Sequence, residues 1–195
     1  MIFICFIIIL LIILIFLTCK NIKICSKVKP LKKFYVNNEI VTKNSKINLK
    51  RQLKRIDLSG RDLSYTNMSG LDLTLVNLSN CNLTGSDLSK SILFGADMTN
   101  SVLIDTNMSH CILDRIKFID ARLIRTNLSN SLMNNAYLKD AYFSKVNMEN
   151  TIMENCILAE TIMEDVITNN LTICPNGNFG PCDFSWWHPD YDNIE

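Results

Sequence analysis

The chain has 195 residues, with 20 Lys and Arg against 19 Asp and Glu, two histidines and six glycines. This length allows one domain with appendages. No glycine-rich phosphate loop follows a predicted strand, and no catalytic grouping of residues emerges. We therefore expect neither an enzyme nor a cofactor, and no nucleic acid, metal ion or small-molecule substrate among its ligands.

The first nineteen residues, MIFICFIIILLIILIFLTC, carry no charged side chain. As an α-helix they would be about 28 Å long, which is close to the hydrocarbon thickness of a bilayer. We predict one N-terminal transmembrane or signal-anchor helix at residues 1–19, and thus a single-pass membrane protein. The alternative is a cleaved signal and a secreted protein, although the segment lacks a positive n-region and an A-x-A-like cleavage site.

Residues 20–55 are a predicted basic linker. They hold twelve Lys and Arg and one acid, Glu39, whereas eight basic and eighteen acidic residues follow from residue 56 onward. Such a segment is typical of attraction to anionic headgroups, and a solvated tether is the simpler alternative. The lysines after the apolar segment favour a cytoplasmic body, whereas cysteines near the C-terminus favour an oxidising compartment. The sequence leaves the side of the membrane open.

From residue 56 the chain repeats every five residues. Twenty-two central positions, from Leu58 to Met163 in unbroken register, hold Leu, Met or Phe. The residue two before each centre is mostly small, and the two residues after it are turn-compatible types. A period of five turns successive centres by about 140° around a helix, so no apolar face forms. Short extended segments joined by turns and stacked in a solenoid fit this pattern.

The repeat A(D/N)LXX, seen as GADMTN, SDLSK and CNLTG, resembles the pentapeptide-repeat proteins. This resemblance implies an all-β fold over residues 56–165, a right-handed quadrilateral parallel β-helix. Four pentapeptides would form one coil, giving about five and a half coils. Residues twenty apart would then stack on the same face of the solenoid.

Stacking at this interval creates one aliphatic column among the outward positions. It follows Asp72 and consists of Ile92, Ile112, Leu132 and Ile152. A contiguous exposed apolar stripe usually has a partner. We predict that the column is covered, and we favour the tail after residue 170 as the segment that covers it. The other candidates are the linker's FYV at 34–36, a second copy of the chain and another protein. The alternative is that β-branched residues simply suit an exposed ladder.

Residues 166–195 are predicted to cap the solenoid, because an open end exposes apolar side chains and a backbone edge. Seven residues rich in Pro, Asn and Gly separate Cys174 from Cys182, so we predict a disulfide between them, with two free thiols as the alternative. The aromatic residues assigned to the cap are Phe184, Trp186, Trp187 and Tyr191. The cysteines at inward repeat positions are expected to be small apolar filler; they are Cys81, Cys111 and Cys156.

These features predict a non-enzymatic, membrane-tethered scaffold or protein-binding module, held by residues 1–19 and presenting its β-helix to a protein partner or a second copy. Some pentapeptide-repeat proteins imitate duplex DNA and bind type II topoisomerases, so the resemblance also implies a DNA-mimic alternative. Residues 56–165 are only mildly acidic, with fourteen acids and eight bases. A third hypothesis is a secreted or surface structural module, released by signal cleavage.

Overall fold

The computed structural model describes residues 54–184 and the backbone of two short strands, β1 (Phe34–Val36) and β2 (Glu39–Val41). These two strands pair antiparallel, with Tyr35 opposite Ile40. The predicted membrane segment at 1–19 and most of the predicted linker lie outside the described residues. Within the described part of the chain, no helix is long and apolar enough to cross a bilayer.

Residues 54–175 form a solenoid in which outward residues up to Asn147 pair in parallel with the residue twenty positions later. Examples are the bridges from Asp57 to Asn77 and from Ile92 to Ile112. On one face the pairing widens to three residues and gives a parallel sheet in the order β3-β4-β5-β6. Its strands are Val102–Ile104, Arg122–Ile124, Tyr142–Ser144 and Ile162–Glu164. This register confirms the predicted parallel β-helix and its stacking interval, while the right-handed twist remains an expectation from the family resemblance.

A turn follows every segment because every fifth residue, from Arg55 to Asp165, adopts a left-handed backbone conformation. Many turns close with a bond from the backbone N–H three residues after the centre to the centre's carbonyl, as from Thr66 to Leu63 at 3.3 Å. A positive φ at the third residue of such a turn defines type II. Most of these positions are not glycine, and Asn and Asp recur there because both tolerate this conformation well.

The core is a column of central side chains inside the coils. Leu58 through Met153 are at most 1% exposed, and the two largest members, Phe118 and Phe143, are fully buried. Small residues two positions before each centre complete the packing, including Ala96 and Ala121. Burial falls off at the C-terminal end, where Met163 and Val166 are only partly buried.

The coil ladder continues past residue 165, although the five-residue pattern stops at Thr168. Asn147 pairs with Ile167 at an interval of twenty, and Ile152 then pairs with Ile173 at an interval of twenty-one. One inserted residue in this last partial coil therefore shifts the register. The final inter-coil backbone bond runs from Asn155 N to Pro175 O at 3.0 Å.

Candidate protein-binding face

The structure places the four predicted stripe residues in one outward column, which we call the aliphatic face. Its members pair in sequence from Asp72 onward and the column continues to Ile173; they are Ile92, Ile112, Leu132, Ile152 and Ile173. The first three side chains are 38%, 36% and 38% exposed. A connected apolar surface therefore extends over five successive coils.

The described part of the tail leaves the middle of the aliphatic face open. Phe184 instead packs on the end of the core, beside Leu158, Thr161 and Met163. Phe179 pairs with Ile173 and is 72% exposed. The favoured prediction, that the protein's own tail covers the face, finds no support up to Phe184. Three predicted cap aromatics, Trp186, Trp187 and Tyr191, lie outside the described residues.

Most other outward positions carry Asp or Asn because these side chains cap their own turns. Asp57 Oδ1 accepts a hydrogen bond from Ser59 N at 2.9 Å, and Asp87 Oδ1 accepts one from Ser89 N at 3.0 Å. This is the Asx turn, in which the side chain bonds the backbone two residues on. An aliphatic residue at this position gives up that bond.

The aliphatic face replaces these caps with bonds between coils. Asp114 Oδ1 accepts from Asn134 N at 2.9 Å, and Asn134 Oδ1 accepts from Glu154 N at 3.1 Å. Each acceptor stands two residues after an aliphatic side chain. The turns after Leu132 and Ile152 thus keep a hydrogen-bond partner while the outward positions become apolar. The sequence analysis missed this arrangement.

Inward polar side chains tie successive coils together. Ser131 Oγ donates to Met108 O at 2.9 Å and accepts from Cys111 N at 3.0 Å. The inward cysteines bond in the same way, with Cys156 Sγ 2.9 Å from Met133 O. Burial raises the pKa of the Cys111 thiol to about 11 and that of Cys156 to about 12. Low thiolate character makes both groups poor nucleophiles.

No group of His, Cys, Asp and Glu side chains within residues 54–184 has the arrangement needed to hold a metal ion. Each of the three inward cysteines is buried as a free thiol in a different coil; they are Cys81, Cys111 and Cys156. Their packing matches the predicted role as small filler.

On the other faces, two basic side chains pair with acids of the preceding coil. Arg125 bonds both carboxylate oxygens of Asp105, at 2.6 and 2.8 Å, and this hydrogen bonding lowers the pKa of Asp105. Lys117 lies 3.4 Å from Asp97 in the preceding coil. Basic side chains therefore interrupt the acidic columns.

The structure joins Cys174 to Cys182, with their Cα atoms 5.6 Å apart. Cys174 occupies a buried inward position in the last partial coil. Backbone bonds hold the loop, from Gly180 N to Thr172 O at 2.7 Å and from Cys182 N to Thr168 Oγ1 at 3.0 Å. The disulfide therefore fastens the segment that brings Phe184 over the end of the core.

The stacked five-residue segments show that the protein is a β-solenoid built from sequence repeats. The family model of the pentapeptide repeats matches it in eight copies, over residues 52–89, 81–118 and 121–158. The chain belongs to the pentapeptide-repeat family, as its repeat motif predicted. Proteins of this family are generally structural or binding modules.

Several solved structures of the same family resemble this chain. Rfr23 from the cyanobacterium Cyanothece 51142 is 27% identical, with 62% of this chain and 85% of that one covered and a TM-score of 0.27. A pentapeptide repeat protein of the Arabidopsis thaliana thylakoid lumen is 20% identical, with coverages of 60% and 74% and a TM-score of 0.27. QnrB1, a plasmid-mediated fluoroquinolone resistance protein, is 17% identical, with coverages of 60% and 81% and a TM-score of 0.27. None of the curated protein sequences matches this chain.

Proposed function

We propose that this chain is a non-enzymatic, membrane-tethered scaffold whose aliphatic face binds a protein. The observation that carries the proposal is the unbroken column from Ile92 to Ile152, beside a neighbouring column that holds Asp or Asn from Asp87 to Asn147. Exposed apolar patches of this kind mark interaction surfaces. The inter-coil caps at Asp114 and Asn134 support an ordered face and not a degenerate end of the repeat.

The contact would be of modest strength. Fully burying an aliphatic side chain is worth about 1.5–3 kcal/mol, and about a third of that surface is still accessible here. Covering four such side chains would therefore contribute on the order of 2–4 kcal/mol before association costs. A partner would need further polar contacts along the edges of the face, or a tether that raises its local concentration.

The tether in this proposal consists of the uncharged residues 1–19 and the basic linker at 20–55. The Cys174–Cys182 disulfide supports a β-helix on the oxidising side of that membrane. A secreted module released by cleavage would keep the same disulfide and face, so membrane fractionation with N-terminal mass spectrometry separates the two forms.

The DNA-mimic alternative receives less support from the charge pattern. A duplex mimic needs continuous acidic rows, whereas basic residues such as Arg125 and Lys117 pair with the acids of the preceding coil.

The test compares Ile112→Lys/Leu132→Lys with a matched control, Ile157→Lys/Ile162→Lys, which makes the same double change at exposed outward positions of other columns. The particle size of each chain is measured after gentle solubilisation of the membranes that contain it. We expect the parent and the control to migrate in a complex and the Ile112→Lys/Leu132→Lys variant to migrate as the free chain. If all three chains have one size, the aliphatic face does not bind a protein.

A further inference from the structure

We propose that the occupant of the aliphatic face is a second copy of this chain, packed face to face and antiparallel about a two-fold axis between Ile112 and Leu132. This inference rests on the proposed function of that face and specifies its partner. It follows from the spacing of the column, from the charges at its two edges, and from its small area.

The spacing matches a second solenoid better than an α-helix or a single β-strand. Coils repeat about every 4.8 Å, so the column from Ile92 to Ile152 advances about 14 Å over three intervals. Three turns of an α-helix advance about 16 Å, and three same-side steps of a single β-strand about 20 Å. Side chains across the strands of a β-sheet or a second β-solenoid have the same spacing, and a second copy of this chain supplies an aliphatic column that interdigitates with this one along the whole length.

The two edges of the face set the direction of packing. Residues two before each aliphatic side chain form one edge: Lys90, His110, Asn130 and Asn150. Residues two after form the other edge: Phe94, Asp114, Asn134 and Glu154. The guanidinium of Arg115 lies over the Phe94 ring, 5.7 Å from its centroid. The positive charge of Arg115 therefore lies at the level of the coil that contains Ile92.

Antiparallel packing brings complementary groups together. The two-fold axis sets the coil of Ile92 opposite the partner's coil of Ile152, and each edge meets the same edge reversed. Arg115 on Phe94 then faces Glu154 of the partner subunit, and symmetry repeats this contact. In the middle of the interface, Asp114 faces the partner's Asn134, which can donate to it.

Parallel packing instead opposes like charges. A two-fold axis along the rod would set each edge against the other edge at the same height. Arg115 would then lie near Lys90 of the partner subunit, and Glu154 would lie near the partner's Glu149. Like charges facing each other destabilise a contact and act against the wrong arrangement. The edge charges therefore select the antiparallel pair.

The area predicts a weak dimer. A face one short strand wide and about 19 Å long, from Ile92 to Ile173, buries well under the roughly 1,200 Å² found in stable complexes. Confinement in one membrane raises the effective concentration of neighbouring copies and compensates for weak affinity. Association should therefore be readily measured at high protein-to-lipid ratio and should fade on dilution.

Charge reversal with rescue tests the pairing. The variants are Arg115→Glu, Glu154→Arg and the double variant, each as the full chain in lipid vesicles carrying donor and acceptor dyes. We expect each single variant to lower the association constant about tenfold, because symmetry makes two repulsive contacts. The double variant should return to near the parental value, and a mixture of the two single variants should pair with each other. Single variants that match the parent, or a double variant without recovery, overturn the antiparallel dimer.

A photo-crosslinking residue at position 132 tests self-pairing separately from the proposed protein-binding function of the aliphatic face. The full chain in expressing cells should give a crosslinked dimer whose joined peptides contain position 132 of one copy and Ile112 of the other. A crosslink only to a different protein overturns self-pairing while retaining a protein-binding face. Absence of any crosslink from position 132, with the expected label incorporated, overturns both.

Discussion

Two buried serines at the same inward repeat position give a direct measure of how the coils are held together. Ser131 makes two hydrogen bonds, to Met108 O and from Cys111 N, whereas Ser86 Oγ has no partner in the described part of the chain. Both side chains are at most 2% exposed. Alanine occupies the same position in other coils, as at Ala96, so neither substitution creates a clash.

We expect Ser131→Ala to lower the free energy of unfolding by about 2 kcal/mol, since a buried donor and a buried acceptor each lose a partner worth about 1–3 kcal/mol before the turn relaxes. For a chain of this size this is a fall of about 4–8 °C in the melting temperature. Ser86→Ala should be neutral or stabilising, because it removes an unpaired buried hydroxyl.

The assay is thermal unfolding followed by far-ultraviolet circular dichroism, with both variants and the parent at one concentration. The difference between the two variants is the informative quantity, because each removes one hydroxyl from a buried serine. Equal losses of stability would refute the role assigned to the inter-coil bonds and would indicate that only the packing of the centres holds the coils.

Three further predictions concern single features of the rod. Cys111 and Cys156 should resist alkylation by iodoacetamide at pH 8 until the chain unfolds, and their modification in native buffer, seen by mass spectrometry, would contradict this. Their pKa values in the folded chain are raised to about 11 and 12. The two thiols should therefore leave the free energy of unfolding unchanged below about pH 8.5 and lower it as the pH rises from there. Cys174→Ser should speed hydrogen exchange in the last coil, residues 158–175, and leave central coils protected, whereas uniform exchange would argue against a local cap. Asp114→Ala should lower the free energy of unfolding by about 1 kcal/mol in denaturant titration, with Asp114→Asn near the parent because it keeps the acceptor oxygen; equal losses would point to charge as the cause.

The solenoid could be predicted because one period persists over twenty-two centres, from Leu58 to Met163. The interval of twenty came from the family resemblance, and the pairing of Ile92 with Ile112 confirms it. The C-terminal end could not be located in this way. Thr168 stands at a central position where an apolar residue is expected, and one residue inserted between Ile167 and Ile173 then shifts the register, while the coil itself continues and buries Cys174.

The aliphatic column could also be predicted from the sequence, because residues twenty apart become neighbours in space when the coils stack. The replacement caps were not. The bond from Asn134 N to Asp114 Oδ1 depends on where a turn sets one side chain relative to the next coil, and Asp and Asn are common at many positions of this repeat. The path of the tail could not be predicted either; up to Phe184 it leads to the end of the core and not over the middle of the face.

Solvent access to the aliphatic face inside the cell tests the central claim most directly. Ile112→Cys and Ile157→Cys place thiols at outward positions of two different columns, and labelling by a small maleimide is followed by mass spectrometry in intact cells and in the dilute purified chain. The account predicts that position 112 is slow in cells and fast after dilution, while position 157 is fast in both. Equal labelling of position 112 under the two conditions would show that nothing covers this face.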